Sequence, residues 1–200
     1  MKQVFFLFCV IFFYTSSTLA QKNNLDIKSQ AALVFNAQNA HVIYDKNADK
    51  VMPIASITKL MTAMVTLDAR LSPNEKITIT NADVDKLKHS SSRLPVGSSY
   101  PRHELLRLAL MSSENRAAAA LARTYPGGTK AFVDAMNQKA KKIGMASSRF
   151  VDSTGLNSNN VATARDLAKL VSSSNSYSAI REFSTTSQHS VSPGNKRAQL

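Results

Sequence analysis

Cysteine is almost missing from this chain. Its 200 residues hold one, Cys9, inside an apolar run at the amino terminus. If that run is removed, no thiol remains. Disulfides, thiolate metal ligands and a cysteine nucleophile are then excluded. Acidic residues are scarce too, 13 against 25 lysines and arginines, which leaves a net charge of +12, or +11 without Lys2. Between Glu114 and Glu182 there is no glutamate. The apolar run Val4 to Tyr14 falls short of the ~20 residues that a spanning helix needs. There is no internal repeat and no long low-complexity tract. The histidines, His41, His89, His103 and His189, show no ligand spacing, so neither a metal nor another cofactor is expected.

The amino terminus carries an export signal: a basic Lys2, the short apolar run, and a small-residue exit at Thr18-Leu19-Ala20. The expected mature chain starts at Gln21. Its remaining length, about 180 residues, suffices for one domain with a sizeable core. An exported basic protein meets a negatively charged cell envelope, so no nucleic-acid partner is expected. Lys139, Lys141 and Lys142 fall on one helix and read as a solvated face.

The pattern predicts a strand-helix-strand start and a mainly helical continuation. Ala31–Phe35 and His41–Tyr44 flank an Asn-bearing turn and read as a hairpin. Ser56–Ala69 is apolar nearly all round, which predicts a helix buried on several sides. Lys76–Thr80 alternates as a strand does. Helices are expected from Pro101, over Ala117–Ala122, and over Ala131–Ile143 with Gly144 as its C-terminal cap. A fourth starts at a capping box, Thr163 with Asp166. Residues 31–80 thus read as the start of an α/β part and 81–170 as a mainly helical part.

Two short motifs carry chemistry. Ser56-Ile57-Thr58-Lys59 puts a hydroxyl and an amine three residues apart on one helix face. Serine needs a base to take its proton. Lysine serves only when neutral, against an ordinary pKa of about 10.4. Apolar surroundings and the positive end of the helix dipole both disfavour the ammonium. The second motif, Ser113-Glu114-Asn115, lies in a break between two helices, where a hydroxyl can relay a proton and an amide can hold a lysine or a carbonyl. Each motif alone has a plain alternative. Ser56 fits a helix cap beside a lysine that reaches for water, and Ser113 fits a helix cap as well.

Taken together, the two motifs resemble those of the penicillin-binding and serine β-lactamase superfamily. Pro53-Ile-Ala-Ser-Ile-Thr-Lys-Leu-Met-Thr-Ala63, Leu110-Met-Ser-Ser-Glu-Asn-Arg-Ala-Ala118, Tyr125-Pro-Gly-Gly128, Phe132-Val-Asp-Ala-Met-Asn137 and Thr163-Ala-Arg-Asp166 are similar to the low-molecular-mass D-alanyl-D-alanine peptidases, and most similar to their endopeptidase branch. The resemblance runs from about Leu25 to Leu200. It implies a β-lactamase/transpeptidase-like α/β (α+β) fold, an antiparallel sheet flanked by helices plus a helical subdomain. It implies a periplasmic serine hydrolase acting on peptidoglycan, with Ser56 as nucleophile, Lys59 as base, Ser113 as proton relay and Asn115 positioning Lys59 or substrate. β-Lactams would acylate Ser56. The superfamily's third motif, Lys-[Ser/Thr]-Gly, is absent, and Ser153-Thr154-Gly155 follows Asp152 rather than lysine. The resemblance therefore implies a chain that stops before the last sheet strands and is inactive alone.

Within that resemblance, a carboxypeptidase trimming terminal D-alanine is the main alternative to an endopeptidase. A class A β-lactamase would need a glutamate after the second motif to drive deacylation, and none follows before Glu182. A non-catalytic wall-binding relative would have no need of Lys59.

Overall fold

The computed structural model describes residues 26–192 and the backbone of 198–199. The expected export signal at 1–20 lies outside the described residues. The predicted hairpin forms from β1 (Ala32–Phe35) and β2 (Val42–Lys46), antiparallel, with Val34 opposite Tyr44. Asn36 and Asn39 shape its turn, their side chains accepting from the N–H groups of Gln38 and His41.

A short β3 (Met52–Pro53) leads through a single 3-10 turn (Ala55–Ile57) into α1 (Thr58–Asp68). This helix is the axis of the molecule. Met61, Ala63, Met64 and Val65 are all buried, which follows from apolar side chains on almost every face. Each fully buried methionine or leucine contributes about 1.5–3 kcal/mol. Around α1 pack α2 (Arg102–Met111), α3 (Asn115–Arg123), α4 (Gly128–Lys142), α5 (Ala164–Ser174) and α6 (Ser178–Thr185). The alanines of α3 (Ala117, Ala118, Ala120 and Ala122) are buried, and their small side chains let α2 and α4 approach closely.

Strands occur as antiparallel pairs. β4 (Lys76–Thr78) pairs with β5 (Ser99–Pro101), Ile77 opposite Tyr100. β3 pairs with β6 (Val161–Ala162), and β7 (Ser190–Val191) with β8 (Ala198–Gln199). The connection 81–98 between β4 and β5 opens with a 3-10 turn capped reciprocally by Thr80 and Asp83. Arg123 of α3 clamps the buried Asp83 carboxylate through Nε and Nη2, both at 2.9 Å. That clamp fixes one end of the connection against the helix.

Local details depart from the sequence pattern in two places. Lys139 does not join Lys141 and Lys142 on a solvated face: it turns inward to the Asp68 carboxylate and the Tyr177 hydroxyl, at 2.8 and 2.7 Å. Thr163 accepts from the Asp166 N–H at 3.0 Å, but Asp166 returns nothing to Thr163 and binds Ser147 and Ser148 instead, so the box is half made. Gly144 ends α4 as expected, at φ +79°.

Candidate active site

Ser56 and Lys59 are brought together at the amino-terminal end of α1. Ser56 lies on the 3-10 turn and is exposed, while Lys59 is only 3 % exposed. One helical turn of separation points both side chains the same way, and Lys59 Nζ sits 3.2 Å from Ser56 Oγ. Nζ also donates to Asn115 Oδ1 at 2.8 Å and to the main-chain carbonyl of Thr154 at 2.7 Å. The amine is thus held by three oxygens from three separate parts of the chain.

Burial pulls the Lys59 pKa down from its ordinary 10.5 to about 8, while the nearby Asp152 and Glu114 carboxylates pull it back up. A neutral amine is therefore about one-tenth of the population at pH 7, against about one part in 3,000 for an ordinary lysine.

Asn115 is the first residue of α3. Its amide nitrogen donates to Ser90 Oγ at 2.9 Å, so its oxygen faces Lys59. Ser113 holds a left-handed backbone (φ +56°) in the break between α2 and α3 and is exposed. It does not cap α3: Glu114 does so, accepting from the Arg116 N–H at 3.1 Å. Among the described residues the Ser113 hydroxyl bonds to neither Ser56 nor Lys59. Three of the four expected site residues meet directly, and Ser113 lies two residues before Asn115 in the break between α2 and α3.

The segment 152–157 enters the site without having been expected there. Lacking a lysine before Ser153, it is no third motif, yet its backbone supplies the Thr154 carbonyl. Asp152 ties the segment into a knot. Its Oδ1 accepts from the N–H groups of Thr154 and Gly155, both at 2.6 Å, and from Thr154 Oγ1, while Oδ2 accepts from the Asn157 N–H. Ser153 fastens the knot to the helices: its Oγ donates to Ala118 O, and its carbonyl accepts from Thr62 Oγ1. Gly155 lies at φ +82°, and a Cβ there would sit 1.9 Å from the carbonyl oxygen of Ala55, the residue before Ser56. The knot and the nucleophile's turn are in direct backbone contact. An aspartate followed by small residues and glycine is a turn signal in the sequence. Its nearness to Lys59 has no local signature.

Comparison with known proteins places these features in context. A family model described as D-alanyl-D-alanine carboxypeptidase matches residues 16–199. The D-alanyl-D-alanine endopeptidase of Pseudomonas aeruginosa is 49% identical over 166 residues, 83% of this chain and 54% of that protein. The enzyme of the same name from Escherichia coli is 52% identical over 161 residues, 80% of this chain and 52% of that protein. The chain spans about half the length of these relatives. Among solved structures, the Streptomyces K15 DD-transpeptidase superposes with a TM-score of 0.79 at 29% identity, covering 87% of this chain and 72% of that one. The mixed helix-and-sheet architecture is thus that of the transpeptidase fold.

Proposed function

Since this chain belongs to the D-alanyl-D-alanine carboxypeptidase family, we propose that the protein is an exported, periplasmic serine peptidase that cleaves D-alanyl bonds in peptidoglycan stem peptides through a Ser56 acyl-enzyme. The carrying observation is the Lys59 amine, buried, lowered in pKa and 3.2 Å from Ser56 Oγ.

Ser56 Oγ attacks the D-alanyl carbonyl carbon as Lys59 takes its proton. The Ser56 N–H, at the positive end of α1, is one donor to the developing oxyanion. Collapse of the tetrahedral intermediate breaks the C–N bond, and the leaving amine takes up a proton relayed through Ser113. Water, deprotonated by the same amine, then releases the acyl group. Asn115 holds Lys59 in place. β-Lactams stop at the acyl-enzyme.

The bond cut is the cross-link between stem peptides, a reading supported by the endopeptidase names of the relatives at 49% and 52% identity. Labelling the full-length protein with a fluorescent penicillin tests the nucleophile. The wild type takes the label and Ser56→Ala does not; equal labelling removes Ser56 from the role. Digestion of cross-linked dimers beside free pentapeptide tests the bond. Release of terminal D-alanine without loss of dimers would make the enzyme a carboxypeptidase.

A further inference from the structure

Asn115 can face Lys59 with its oxygen or with its NH2, and only the first leaves the amine usable. The choice is made outside the two sequence motifs. Asp85, in the connection 81–98, accepts from the N–H groups of Leu87, Lys88 and Ser90 at 2.8, 3.0 and 2.9 Å, and from the Ser90 hydroxyl at 2.7 Å. Partial burial pushes the Asp85 pKa up, but these hydrogen bonds outweigh it and hold the carboxyl below its usual range. An ionised carboxylate only accepts. The single Ser90 hydroxyl proton is therefore committed to Asp85, and Ser90 Oγ can only accept from Asn115. The Asn115 NH2 must point to Ser90, and its Oδ1 must point to Lys59.

The consequence reaches the nucleophile. A neutral amine has two N–H bonds and one lone pair. Asn115 Oδ1 and the Thr154 carbonyl take the two N–H bonds, at 2.8 and 2.7 Å. The lone pair is left for the third neighbour, the Ser56 hydroxyl. Were Asn115 reversed, its N–H would occupy that lone pair instead.

Resting on the serine-peptidase reading above, we infer that Asp85 and Ser90 are positioning residues: they set the polarity of a hydrogen-bond relay, Asp85–Ser90–Asn115–Lys59, that aims the lone pair of Lys59 at Ser56.

The test is the pH dependence of acylation by a fluorescent penicillin in the full-length protein. Ser90→Ala removes the relay but spares the backbone bonds that fold the turn onto Asp85. It lowers the acylation plateau about ten-fold, the effect of one misdirected hydrogen bond. Ser90→Thr, which keeps the hydroxyl, recovers most of that loss. Asp85→Asn, with a donor available where an acceptor oxygen stood, is as slow as Ser90→Ala or slower. The charged groups acting on Lys59 are Asp152 and Glu114, and these variants leave both in place. The acid midpoint therefore stays put or falls, because a reversed amide disfavours the ammonium. A loosened loop that merely admitted water would raise the midpoint toward 10.5 and leave the plateau alone, which would overturn the relay. Wild-type rates in Ser90→Ala or in Asp85→Asn would overturn it too. Labelling of Ser56→Ala at the wild-type rate would instead sink the serine-peptidase reading itself, so the two failures are distinguishable.

Discussion

Lys59 Nζ and the main-chain carbonyl of Thr154 are joined by a 2.7 Å hydrogen bond between residues 95 apart in sequence. A backbone oxygen cannot be titrated or exchanged for another side chain. Lys59 is thus anchored by a group whose position is set by the knot around Asp152 and by the Ser153 bonds that fasten it to the helices. The knot is one of the three supports of the base, and the second and third predictions follow from it.

Acylation of Ser56 should rise with pH and level off above the Lys59 pKa of about 8. The neutral form is the base, so the rate at pH 6 should be about one-hundredth of the plateau. Stopped-flow labelling across pH 5.5–9.5 measures this. Lys59→Arg should abolish the rise together with the activity, because a guanidinium does not deprotonate in this range. A flat profile in the wild type would exclude Lys59 as the base.

Asp152→Asn should shift that profile to lower pH. The Asp152 carboxylate raises the Lys59 pKa, so replacing its charge by a neutral amide lets the midpoint fall below 8. Asn keeps one acceptor oxygen for the Thr154 and Gly155 N–H groups and loses the bond to Asn157. The accompanying loss of stability should be about 1–3 kcal/mol, read from urea unfolding. A midpoint that rises instead would mean that the knot opens and Lys59 becomes hydrated.

Gly155→Ala should damage both stability and acylation. The backbone there is left-handed, and the new Cβ would overlap the Ala55 carbonyl at 1.9 Å. Backbone must move on one side or the other, and Ser56 is the next residue after Ala55. A destabilisation of about 3 kcal/mol or more is expected, with labelling of Ser56 slowed even where the protein stays folded. Wild-type melting and labelling in this variant would show the contact to be unimportant.

Arg123→Ala should lower stability. The Asp83 side chain is almost fully buried, and Arg123 supplies its opposite charge. Removing the guanidinium leaves that carboxylate buried without its partner, at a cost of about 3 kcal/mol. Thermal unfolding should show the loss, and Arg123→Lys should restore part of it, since an ammonium cannot reproduce the two-pronged contact. An unchanged melting temperature would mean that water reaches Asp83.

Much of the fold was legible because it is local. The two short runs of β1 and β2 around an Asn-bearing turn, the all-round apolarity of α1, the alanines of α3 and Gly144 after α4 are set by residues within a few positions of one another. Lys139 was misread for the converse reason: its partners, Asp68 and Tyr177, lie 71 and 38 residues away. Ser113 remains the least connected of the expected site residues, because the cap it was offered as an alternative role is made by Glu114.

The sequence alone determined that Ser56 and Lys59 lie on one face, since three residues are nearly one helical turn. It also determined that the helix around them is apolar enough to make an ammonium costly. Only the tertiary structure decided which oxygens surround the amine. Asn115, Thr154, Ser90 and Asp85 come from a helix end and two loops, and no period in the chain relates them to Lys59. They converge because packing around α1 brings those segments to one point, and packing depends on contacts between residues far apart in the sequence.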